Sequence, residues 1–148
     1  MRQYLNIEGS EGILDLYGEW PLFHDSEILS VNLDRGKTEG NYGPTVTIKI
    51  HGFQMTNEID EQGQYKTVKH AQIVFQFYDV VEFELTHGFG TQNPLWGVSV
   101  EDIRSHQLEG INYSVGFGAH LNCDIEFKCA SITVKSVDEG IPSESIYA

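Results

Sequence analysis

Positive charge is scarce in this chain. Nine Lys and Arg stand against 22 Asp and Glu in 148 residues, a formal net charge of −13. Nucleic acids and anionic membranes are held by clustered Lys and Arg, so neither is an expected partner. A basic protein is, through steering and charge complementarity. Cysteine is scarcer still, with only Cys123 and Cys129. Six residues apart on a straight strand, they share a face about 20 Å from each other, too far for a disulfide. Buried free thiols in a reducing cytosol are the expectation. No apolar run reaches the roughly 20 residues of a membrane-spanning helix. Met1 and Arg2 lead into polar Gln3, Asn6 and Glu8 rather than an apolar leader, so no secretory signal is expected and the location is read as cytoplasmic. No repeat, low-complexity tract or linker divides the chain, which is read as one domain over 1–148.

Catalytic signatures are equally sparse. Gly88-Phe89-Gly90-Thr91 lacks the glycine spacing, the lysine and the following helix of a phosphate loop, and no Gly-x-Ser-x-Gly elbow occurs. The acidic run Glu58-Ile59-Asp60-Glu61 lacks calcium-loop spacing. The six histidines form no His-x-x-x-His pattern. A metal site is conceivable only across strands, from His24, Asp25, His51 and His70. Against it, His51 and His70 occupy outward positions in their strands, and His24 and Asp25 suit a turn. No cofactor and no catalytic residue are assigned.

What the chain has is alternation. Apolar residues repeat every second position over 27–35, 45–53, 64–78, 80–87, 111–117, 121–129 and 131–137, and 95–104 is a further candidate strand. The inward sets are Leu29/Val31/Leu33, Val46/Ile48/Ile50, Ile73/Phe75/Phe77, Val81/Phe83/Leu85, Ile111/Tyr113/Val115/Phe117 and Leu121/Cys123/Ile125/Phe127/Cys129. Residues 54–63 read as an acidic connection ending in a glycine turn. Ser10 is placed as the cap of a short helix that carries Ile13, Leu14 and Tyr17 and stops at Gly18. The fold class is therefore mainly β: an antiparallel meander of seven or eight strands forming a curved sheet, sandwich or open barrel, with one short N-terminal helix. The helix and an aromatic plug occupy 1–26, the meander 27–137, and a polar tail that frays 138–148.

The plug is Trp20-Pro21-Leu22-Phe23-His24-Asp25. Pro21 holds Trp20 out of the helical region, and Trp20 and Phe23 bring large apolar areas to one end of a sheet. Trp20, Pro21, Phe23, His24 and Asp25 are read as structural, with His24 and Asp25 at the exposed rim.

Five segments in order carry a resemblance. They are Trp20 to Ile28 (WPLFHDSEI), Ile50 to Gly63 (IHGFQMTNEIDEQG), Lys69 to Phe77 (KHAQIVFQF), Gly88 to Asn93 (GFGTQN) and Phe127 to Val134 (FKCASITV). Together they resemble the immunity protein 50 family of bacterial polymorphic toxin systems, with Gln54 and Gly90 as departures from its usual Glu and Asn. The resemblance implies a cytoplasmic protein that binds and neutralises a cognate toxin by occluding its active site. The acidity of the chain adds that this toxin is basic. Hot spots of such an interface are aromatics ringed by acids, which points to Tyr42 and Tyr65 with Glu58, Asp60 and Glu61. Two other readings stay open: a small-molecule or metal-binding barrel, even an enzyme, using His24, Asp25 and His51, and a structural oligomerisation module of open stoichiometry.

Overall fold

A computed structural model describes residues 7–36 and 43–143. Among them a helix, α1 (Ser10–Tyr17), precedes eight strands: β1 (Glu27–Asp34), β2 (Thr45–Ile59), β3 (Tyr65–Tyr78), β4 (Val81–Thr86), β5 (Leu95–Asp102), β6 (Tyr113–Ala119), β7 (Asp124–Cys129) and β8 (Ser131–Glu139). They form two four-stranded antiparallel sheets, β1-β2-β3-β8 and β4-β7-β6-β5. The mainly-β expectation thus resolves to an open sandwich. The meander holds for β1-β2-β3 and for β5-β6-β7. Between them β4 crosses to the far edge of the second sheet, and β8 returns to the first. Local alternation does not report such changes of sheet.

The inward residues meet in one core. Phe75 and Phe77 of the first sheet touch Phe117 of the second at centroid distances of 6.1 and 5.9 Å, and Phe77 meets Phe127 at 4.8 Å. Ile48, Ile50, Ile73 and Ile125 are fully enclosed. Phe83 stacks on Phe127 from the edge strand β4, whereas Val81 and Leu85, expected inward, are exposed. Leu33 and Leu121 are exposed as well. In each case the strand lies at an edge or has not yet begun, so the alternation has no opposite face to bury against.

β-Bulges revise the remaining pattern. An irregularity between Ile28 and Ser30 lets Ile28 and Val31 both pair inward, opposite Ile50 and Ile48, so Leu29 is not on the core face. A second bulge, on β3 opposite the Gly52–Gln54 stretch of β2, sets Lys69 at φ 56. There the buried Tyr17 hydroxyl donates to the Lys69 carbonyl at 2.9 Å, tying α1 to the bulge. Burial pushes that phenol up to about 12, so it stays protonated to donate. α1 is not capped by Ser10. Its N-cap is Gly9 at φ 83, where a Cβ would lie 2.2 Å from the Val134 carbonyl oxygen; Ser10 is the first helical residue and is buried. Gly18, at φ 79, ends the helix by donating to Leu14 O.

The plug links the two sheets. Phe23 sits edge-on to Tyr17, Trp20 and Phe75 at 6.4, 6.0 and 6.1 Å. The backbone around it bonds across to the second sheet: Asp25 N–H to Leu95 O, Leu95 N–H to Ser26 O and Val98 N–H to Leu22 O. Phe23 and Asp25 take positive φ, 64 and 67, to make this crossing. Beside it, buried Asn93 organises the Gly88–Pro94 loop by accepting from Gly90 N–H and donating to Ile28 O. A side chain at Gly90 would place its Cβ 2.6 Å from Asn122 Nδ2 and displace that amide from Gln92 O and Asn93 Oδ1.

Candidate functional site

The acidic connection is the projecting end of one long hairpin. β2 runs on to Ile59, so residues 54–59 are strand rather than connection, and Ile59 pairs with Tyr65. The turn itself spans Asp60 to Gln64. Gly63 N–H donates to Asp60 O and Asp60 N–H to Gln64 O, with Gly63 at φ 81, a three-residue hairpin loop with a glycine bulge. The Asp60 carboxylate accepts the N–H groups of Gln62 and Gln64, both at 2.9 Å. Glu58 lies 3.7 Å from Lys66 in an exposed ion pair. Around these acids Met55, Ile59, Tyr65 and Val68 are exposed. The structure thus brings Glu58, Asp60, Glu61 and Tyr65 together at one tip; Tyr42 lies outside the described residues. Of the three acids, two already serve the hairpin, and Glu61 stands exposed beyond them.

The four residues weighed for a metal separate into two pairs. His24 Nδ1 contacts Asp25 Oδ2 at 3.1 Å at the exposed rim of the plug, with the His24 ring 5.4 Å from Trp96. His51 and His70 lie in the first sheet, where the β3 bulge turns them toward each other, Nε2 to Nδ1 at 2.9 Å. His51, expected to point outward into solvent, is fully buried. The reason is lateral and local cover: Glu27 of β1 and Gln72 of β3 flank it as cross-strand partners, and Phe53 and His70 pack against its ring. The track continues from His70 Nε2 to the Thr67 hydroxyl at 2.9 Å, and at its other end Glu27 Oε1 stands 3.9 Å from His51 Nδ1. Phe53 packs on both rings.

Neutral imidazoles satisfy this track: one N–H lies between His51 Nε2 and His70 Nδ1, His70 Nε2 bonds the Thr67 hydroxyl, and His51 Nδ1 faces Glu27. Protonating both rings would set two N–H groups, and two positive charges, against each other at 2.9 Å. Burial, and then the neighbouring His70, accordingly bring His51 down to about 4; burial lowers His70 too, and raises Glu27. A metal ion would have to break the His–His bond, and among the described residues no three His, Cys, Asp or Glu are placed to hold one. A hollow of about 690 Å³ opens beside Glu27, Gln72, Phe89 and Asn93. None of His24, Asp25 and His51 lines it.

Both cysteines are enclosed free thiols. Burial raises each, Cys129 to about 12, so neither is a thiolate nucleophile. Cys123 lies just before β7, at φ 64, rather than within a straight strand. Among the described residues no helix is long and apolar enough to cross a membrane.

The family model of immunity protein 50 matches residues 9–140, nearly the whole chain. The chain belongs to the immunity protein 50 family. The matched span covers α1, the plug and all eight strands described above, and it includes both the hairpin tip and the histidine track. No curated protein and no solved structure matches this member of the family.

Sequence reading missed the outer face of the second sheet. There the exposed positions of β4 to β7 bring Glu84, Glu126, Gly116 and Trp96 onto one surface. Its one visible signal was the run of small residues at alternate positions of β6, Ser114, Gly116 and Gly118, beside strands whose outward positions are acidic.

Proposed function

We propose that this chain is the cytoplasmic antidote to a cognate toxin, a non-enzymatic binder that occludes the toxin's active site. Membership of the immunity protein 50 family carries the reading. The geometry supports it: exposed apolar and aromatic groups ringed by carboxylates, Tyr65, Ile59 and Met55 with Glu58 and Glu61, project on a hairpin held in shape by its own hydrogen bonds. A preformed acidic projection raises the encounter rate with a basic partner and loses little order on binding. The toxin is therefore read as basic, a nuclease being one such protein, and the tip residues Glu58, Asp60, Glu61 and Tyr65, with Tyr42, are its proposed contacts.

The test is co-expression. Each polypeptide encoded beside this chain is produced alone and together with it, with growth and co-purification as readouts. A neighbour that arrests growth alone, is harmless in company and co-purifies establishes the reading. Arrest that co-expression leaves unrelieved for every neighbour overturns it.

A further inference from the structure

The outer face of the second sheet is a shallow trough with no element of the described chain packed across it. Register sets Glu84, Glu126, Gly116 and Ser99 side by side across β4, β7, β6 and β5. Gly116 contributes no side chain, and the hollow above it measures about 650 Å³. A second hollow of about 320 Å³ shares Ser99, Gly116 and Glu126 and extends to Leu22 and Trp96. A bulge between Leu95 and Gly97 aims Trp96 outward, where it is about half exposed (54%) and packed against His120 at 4.4 Å and His24 at 5.4 Å. The trough thus has an aromatic anchor at one end and carboxylates at the other, about 10 Å away along the strands and a further ~10–14 Å across them.

Glu84 and Glu126 are directly opposed cross-strand partners, an arrangement of like charges that disfavours the sheet. Lys128, the cation on the outer positions of these described strands, is held by Glu82, and the fields of Glu126 and Glu84 add to those keeping it charged. A surface so arranged is complementary to positive charge brought from outside. A second copy of this chain does not supply it, because a symmetric pairing through this face would set carboxylates against carboxylates.

We infer that this trough is the docking floor for a Lys- or Arg-bearing segment of the toxin, with the cation seated above Gly116 against Glu84 and Glu126 and an apolar neighbour on Trp96. The inference rests on the immunity reading and names the surface that reading uses for affinity. The hairpin tip, being more exposed, governs encounter instead. A desolvated charge pair acts mainly on dissociation, a rim charge on association.

The experiment measures binding kinetics between the full chain and the growth-arresting polypeptide encoded beside it, for the unaltered protein, E84Q/E126Q and Gly116→Leu. Both variants are expected to dissociate at least about 30-fold faster with association changed less than about threefold. The free E84Q/E126Q protein is expected to melt about 1–3 °C higher, since an opposed like-charge pair has been removed. If the unaltered protein binds and both variants bind as well as it does, the trough is overturned and the immunity reading stands. A lower melting temperature for E84Q/E126Q overturns the trough too, because the carboxylates then serve the fold. If the unaltered protein neither binds nor protects, the immunity reading falls and the trough with it.

Discussion

The hairpin tip and the outer face of the second sheet are both acidic, yet their charges differ in what they already do. At the tip, the Asp60 carboxylate closes the turn and Glu58 faces Lys66. On the sheet, Glu84 and Glu126 face each other beside a glycine. The tip is acidic and self-satisfied, whereas the sheet face is acidic and internally opposed. Net charge therefore does not locate an interface. What matters is whether the fold itself uses the charge.

The strongest way to break this comparison is through the core both regions share. Phe75 touches the plug through Trp20 and Phe23 and the second sheet through Phe117. Phe75→Ala is expected to cost about 3–5 kcal/mol, read by urea unfolding. A loss below about 1 kcal/mol would mean that the two sheets do not depend on one core.

Acidification distinguishes the sheets next. His51 is neutral in the folded protein until about pH 4, while in the unfolded chain it takes a proton near its usual 6.5. Its contribution is thus fully present above 6.5 and is lost as pH falls toward 4, by at most about 3 kcal/mol. Glu27, raised by burial, acts in the opposite sense and loses stability as pH rises through its own range. Amide exchange at about pH 7 and about pH 4.5 is expected to show β2 and β3 losing protection before β6 and β7, and His51→Phe to flatten the acid slope. An unchanged slope in that variant would take the histidine track out of the pH response.

The tip is sharpened by E58Q/D60N/E61Q. The amide that replaces the Asp60 carboxylate keeps a carbonyl oxygen to accept the turn's N–H groups, so the hairpin persists while its charge is removed. Association with the toxin is expected to slow several-fold and to lose most of its salt dependence, with dissociation little changed. An effect confined to dissociation would exchange the roles of tip and sheet. The smallest expected effect is Tyr17→Phe, which removes the bond to the Lys69 carbonyl and costs about 1 kcal/mol, measured by thermal melting.

Much of the sandwich was legible because alternation is local. Val46, Ile48, Ile50, Ile73, Phe75 and Phe77 follow directly from period two, and Gly18 and Gly63 from their turn chemistry. The tip acids were legible because they cluster in one short stretch of chain. Leu29, Leu33, Leu85, Ser10 and His51 were misread, each where a bulge, a sheet edge or a neighbouring strand altered the local pattern. The Glu84–Glu126 pair was not legible at all, because its members lie far apart in the chain and meet only through the pairing of β4 with β7.

By itself, then, the sequence determined an acidic, mainly-β protein of recognisable family, since composition, alternation and motif order need no knowledge of which strand lies beside which. Only the tertiary structure decided which sheet β4 and β8 join, where the bulges fall, that the His51 and His70 rings meet nitrogen to nitrogen, and that two carboxylates confront each other beside a glycine. Those are matters of strand register, and register is set by the packing of residues distant in the chain rather than by any neighbour in it.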